Sequence, residues 1–214
     1  MIGRRVLGVA LGLMMLVSSP ACLVLSLNPA YDDESIGWDP DLVGSWTDLD
    51  DNASMQIERA EWKSYRVHYV HPIETGDVTG YLTSIGDVRY LDVMPARGED
   101  RGSFLVPVHA LLRVRLEGDR LELTPLSYDW FLDRLRRSDG ISGLAAALDQ
   151  KDNALIVAPA ARLRAWLRAQ PPDGAMFGAP AVFVRRPAAA PSAAARAPDR
   201  SGARGGPAAT RRGD

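Results

Sequence analysis

Between residues 42 and 186 the apolar positions recur mostly at every second place, the period of a strand with one buried face. Residues 63–70 (KSYRVHYV) set Tyr65, Val67 and Tyr69 on one face against Arg66 and His68 on the other. Residues 111–123 read as a hairpin. Leu112, Val114 and Leu116 share a face, Arg113 and Arg115 take the opposite one, and Gly118-Asp119 supplies a tight turn. Residues 88–94 (VRYLDVM) alternate poorly but are β-branched and aromatic enough for a strand. Segments 44–49, 53–59 and 78–85 complete a run of short strands separated by acidic or glycine-bearing turns. Connections of a few residues allow only antiparallel neighbours, because parallel strands need long crossovers. The pattern therefore predicts an antiparallel meander.

Two later stretches switch to helical spacing. Ser127 is placed to cap a helix over 128–137, with Leu126 stapled onto Phe131 and Asp129 in the first turn. Arg134, Arg136 and Arg137 gather at its C-terminal end, where cations are stabilised, and Tyr128, Phe131, Leu132 and Leu135 form its apolar stripe. Pro159 opens a second helix over 159–170, presenting Leu163, Trp166 and Leu167 before Pro171-Pro172 stops it. Short strands at 154–157 (ALIV) and 181–184 (AVFV) lie on either side of it. The predicted fold class is α+β, predominantly antiparallel β, with two short helices late in the chain. Roughly 145 residues suffice to bury a full core.

The two ends change the picture. Arg4 and Arg5, the apolar run 6–17 (VLGVALGLMMLV) and the small residues at 18–21 make residues 1–21 a secretory signal peptide. Twelve helical residues span about 18 Å, too little for a hydrocarbon core of ~30 Å. Residues 22–41 hold Asp32, Asp33, Glu34, Asp39 and Asp41 with no basic neighbour and read as an acidic, solvated tether. Clustered carboxylates also suit a calcium ion, but their spacing is not that of an EF-hand loop. Residues 187–214 contain no Leu, Ile, Val, Phe, Tyr, Trp or Met and read as a disordered Ala/Pro/Gly/Arg tail. With +2 on the leader and +3 on the tail, the overall charge of −2 leaves −7 on residues 22–186. That balance argues against nucleic acid as a partner and makes the arginine-rich helix faces solvated ones.

Cys22 is the only cysteine in the sequence, which excludes an intramolecular disulfide and a cysteine-based metal cluster. Its place directly behind the leader, in Ser19-Pro20-Ala21-Cys22, resembles the lipobox of bacterial lipoproteins. The resemblance implies that Cys22 becomes the first residue of the mature chain and that its thiol carries diacylglycerol. The protein would then be anchored to a membrane of the cell envelope. Ordinary cleavage to a secreted or periplasmic soluble protein is the alternative. Farther on, Leu42-Val43-Gly44-Ser45-Trp46 resembles the G-x-W signature of lipocalin-like domains. In those barrels the tryptophan plugs the closed end and an arginine from the last strand packs across its ring. The resemblance implies a lipocalin-like barrel over residues 42–186, with Gly44 and Trp46 as its signature and Arg185 or Arg186 as the arginine.

Catalytic motifs do not emerge. The sequence has no G-x-S-x-G, H-E-x-x-H, G-x-x-x-x-G-K-S/T or G-x-G-x-x-G. His68 and His71 fall on opposite faces of a strand, so they do not form a joint metal site. His109, in an apolar run, reads as a core histidine satisfied by a backbone carbonyl, and Asp77, Asp87 and Asp92 read as turn and edge residues. No cofactor or metal is called for. Three function classes stay open. One is a non-catalytic binding module for a small apolar ligand or a partner chain. Another is an envelope structural or assembly protein that offers a strand edge or helix surface. The last is an enzyme of unrecognised type. A roomy apolar cavity favours the first, a filled barrel with an exposed patch the second, and polar groups converging on His109 the third.

Overall fold

The computed structural model describes residues 23–48, 50–72, 74–96, 106–137 and 139–187. The expected signal peptide (residues 1–21), Cys22 and residues 188–214 of the expected tail lie outside them. The described residues form strands β1 (Leu25–Ser26), β2 (Ile36–Gly37), β3 (Gly44–Asp48), β4 (Ser54–Arg59), β5 (Ser64–His71) and β6 (Glu74–Ile85). There follow β7 (Val88–Pro95), β8 (His109–Glu117), β9 (Arg120–Pro125), helix α1 (Tyr128–Leu135), β10 (Ala146–Leu148) and β11 (Ala154–Ile156). Helix α2 (Ala160–Arg168) and β12 (Ala181–Arg185) complete the order. Among the described residues no helix is long and apolar enough to cross a membrane.

Strands β3 to β9 pair consecutively and antiparallel. β12 then runs between β9 and β3, with Phe183 opposite both Leu121 and Asp48, and shuts the sheet into an eight-stranded barrel. The expected fold class and the antiparallel order of the meander are both present. Inside the barrel lie Trp46, Met55, Ile57, Tyr65, Val67, Leu82, Leu91, Val114, Leu121 and Leu123. These are the inward positions of the period-two pattern, packed into a side-chain core.

On β6–β8 both faces are buried, which explains the broken alternation of residues 88–94. Leu91 and Leu82 point into the barrel, whereas Tyr90, Ile85 and Leu111 point outward into a second core. That core is completed by Leu126, Phe131, Leu163, Trp166 and Leu167 from the helical region and by Ile156 and Val24. Ser127 caps α1 as expected, its hydroxyl accepting the Trp130 N–H at 3.3 Å, and Pro159 stands at the N-cap of α2.

The expected tether is instead part of the folded body. β1 is sandwiched between β8 and β11, and β2 pairs with β6. Ala30 is fully buried, Asn28 donates to the Ala158 carbonyl at 3.0 Å, and Arg164 of α2 donates to the Ala30 carbonyl at 2.6 Å. The acids serve local geometry: Asp39 caps the 3-10 turn Pro40–Leu42, and Asp32 binds Ser35 and pairs with Arg164 at 3.3 Å. The acidic composition masked short strands whose partners lie far along the chain.

The β4–β5 hairpin turns through Trp62 and Lys63, both at positive φ (54° and 60°), closed by the Ser64 N–H on the Glu61 carbonyl at 2.9 Å. This is the backbone of a type I′ turn, which favours Asn-Gly. Non-glycine residues there cost roughly 1–2 kcal/mol each, and Trp62 is 89% exposed. Trp62→Asn combined with Lys63→Gly should therefore raise the stability of the protein by about 1–3 kcal/mol in urea denaturation. An unchanged midpoint would mean that the turn is unstrained.

Candidate functional site

Three places concentrate chemistry. At the first, Gly44, Trp46 and Arg185 meet. Trp46 is 1% exposed and its Nε1–H donates to the Leu42 carbonyl at 3.0 Å. The Arg185 guanidinium lies 4.2 Å above the ring centroid. It also donates to the Val43 carbonyl at 2.8 Å and pairs with Asp119 at 3.0 Å. Gly44 has φ +149°, and a Cβ there would stand 2.6 Å from the guanidinium, so only glycine lets the arginine reach the tryptophan. The two residues are drawn together because β12 pairs with β3, placing Arg185 opposite Trp46. The arrangement is structural: the Trp46 Nε1–H and the Arg185 guanidinium are both already engaged.

The second place is buried. Asp92 on β7 is 0% exposed, which corrects its reading as an edge residue. One carboxylate oxygen receives the Ala30 N–H at 2.7 Å and the other lies 2.6 Å from His109 Nδ1. His109 thus donates to a carboxylate, not to the expected backbone carbonyl. The Tyr31 ring lies tilted against Tyr81, with ring centroids 4.5 Å apart, and meets the His109 ring edge-on at 6.3 Å. Ser26 is paired opposite His109, but its hydroxyl donates to the Asn28 carbonyl at 2.7 Å. Through Asp92 the polar groups that converge here fasten residues 26–31 to the barrel. Asp77, also expected at an edge, pairs at the surface with His68 at 3.0 Å. Among the described residues no three His, Cys, Asp or Glu side chains converge as a metal site would need.

Burial, reinforced by Tyr81, Asp92 and Asp33, pushes the Tyr31 hydroxyl up to about 12. Burial also pushes Tyr90 up to about 12, against the opposing pull of Arg113. The fold thus favours the neutral phenols over an unfolded chain in which they titrate near 10. Their contribution is intact below pH 10 and disappears as pH rises from 10 towards 12. Urea midpoints should fall across that interval, and Tyr31→Phe should shrink the fall. A flat profile would contradict it.

The third place is open. Between the end of α1 and the end of α2 lies a groove of about 750 Å³, lined by Trp130, Arg134, Arg137, Asp139, Trp166 and Gln170 among others. Arg134 covers the Trp130 ring at 3.8 Å, one helical turn apart, and Trp130 lies 6.2 Å from Trp166. Arg137 is paired with Asp133 at 2.6 Å, whereas Arg134 has no ion-pair partner among the described residues. The groove therefore presents the Arg134 guanidinium, held over the Trp130 ring, and suits a chain that brings a carboxylate group. Trp130 was left out of the expected stripe; its four-residue spacing from Arg134 was the available signal, but the approach of Trp166 was not. Compared with known protein families, curated proteins and solved structures, the chain matches none.

Proposed function

We propose that this is an exported lipoprotein, anchored through Cys22, whose body binds a partner chain and is not an enzyme. The observation that carries the reading is the filled barrel: Trp46, Tyr65, Ile57 and Leu121 occupy its interior at 0–1% exposure. A small apolar ligand would have to displace that core, so recognition belongs on the outside. The groove between the helices is a concave surface outside the barrel, and its Arg134, with no ion-pair partner among the described residues, favours an acidic segment. The Gly44–Trp46–Arg185 arrangement supports a lipocalin-like ancestry for the barrel.

A photo-crosslinking amino acid in place of the exposed Ser142, at the groove, tests this in cells. A discrete protein adduct is expected, lost when Arg134→Glu is added and absent when the crosslinker replaces the exposed Glu117 instead. Identical adducts from both positions would overturn it. So would a small apolar ligand retained by the purified protein in native mass spectrometry.

A further inference from the structure

The sheet extends beyond the barrel through β1, β11 and β10, and the two faces of this extension differ. Val24 and Ser26 are buried towards the helices. The intervening Leu23 and Leu27 are 42% and 37% exposed, with Leu25 half-buried between them. Leu25 pairs with Leu155, and the Leu27 N–H donates to the Ile156 carbonyl at 2.9 Å, carrying the register to Val157, which is 41% exposed. Paired residues share a face, so Leu23, Leu25, Leu27, Leu155 and Val157 make one apolar face with no covering element among the described residues.

Residue 22 directly precedes this face. Because the tether is absorbed into the body, only two residues separate Cys22 from β1. Three peptide steps reach about 10 Å at most. An acyl chain on Cys22 therefore holds the sheet extension at the headgroup level, with no freedom to stand away. We infer that the Leu23–Leu25–Leu27–Leu155–Val157 face lies against the lipid bilayer as a second, non-covalent contact beside the anchor. This rests on the acylation of Cys22. The face itself carries no charge; the nearest turn brings Asp149, Lys151 and Asp152. The contact is thus apolar, adds a second hold where a single acyl chain alone is marginal, and is insensitive to the fraction of anionic lipid.

The test uses the full chain purified from cells with its native N-terminus, carrying Val157→Cys or, on the distant β8–β9 turn, Glu117→Cys. Acylation blocks the Cys22 thiol, so a fluorophore attaches only at the introduced cysteine, and mass spectrometry of the N-terminal peptide reports the anchor in the same sample. In vesicles of phosphatidylethanolamine and phosphatidylglycerol, nitroxide-bearing lipid should quench the probe at 157 several-fold more than at 117. Changing the phosphatidylglycerol fraction should leave the ratio unchanged. An acylated chain with equal quenching at both positions overturns the inference and leaves the anchor standing. An unacylated chain overturns the anchor and this inference with it. A probe at 157 shielded from lipid but crosslinking to a second copy assigns the face to self-association and also overturns it.

Discussion

Trp46→Ala should cost about 3–5 kcal/mol of folding stability, the range for removing a large aromatic side chain from a core that cannot collapse around the void. The site cannot collapse because its neighbours are tied down by other bonds. Leu42 is held by the 3-10 turn, and Arg185 by the Val43 carbonyl and Asp119. Removing the ring also strips Arg185 of its cation–π contact. Trp46→Phe should cost less, since it keeps most of the volume and loses the Nε1 hydrogen bond to Leu42. Because the pair is in contact, the effects of Trp46→Ala and Arg185→Ala should fall short of additive by about 0.5–2 kcal/mol. Urea denaturation of the two single variants and the double measures this. A loss under 1.5 kcal/mol for Trp46→Ala would show that the ring is not a mainstay of the barrel core.

Asp92→Ala should have a comparable effect for a different reason. Its carboxylate is the acceptor for two buried donors, the Ala30 N–H and His109 Nδ1. Deleting it strands both, and each buried donor left without an acceptor costs roughly 1–3 kcal/mol. The location of the damage is the sharper observable. The Ala30 amide should exchange its hydrogen much faster in Asp92→Ala, because the strap from residue 26 to 31 loses its fastening. Trp46→Ala, acting on the other core, should affect that amide only through global stability. Comparable local exchange in both variants would mean the strap is held by β1 and Arg164 alone.

Much of the barrel was legible because period-two alternation survives wherever one face is buried. Tyr65, Val67, Leu112 (half-buried) and Val114 all line the interior as expected. Ser127 was legible because capping is local. Two kinds of feature were not. Leu25–Ser26 and Ile36–Gly37 are two-residue strands inside an acidic segment, and their partners are supplied by the tertiary fold. Asp92 looked like an edge residue because a carboxylate on a strand ordinarily faces water. What keeps it inside is His109, which its strand lays alongside, and an N–H sixty-two residues away. The groove needed two helices at once, so Trp130 and Trp166 could be recognised singly but not as neighbours.

The position of β12 at the end of the folded body has a consequence for how the protein is made. β3 and β9 stay edge strands, with unpaired N–H and C=O groups, until residues 181–185 arrive between them. A growing polypeptide emerging from the ribosome therefore cannot seal its cylinder early, however much of it has been synthesised. Pairing across so long a sequence separation is intrinsically slow. Delay of that kind keeps a nascent chain open, and it means that a chain cut short before Ala181 would leave two sticky margins in place of a seam.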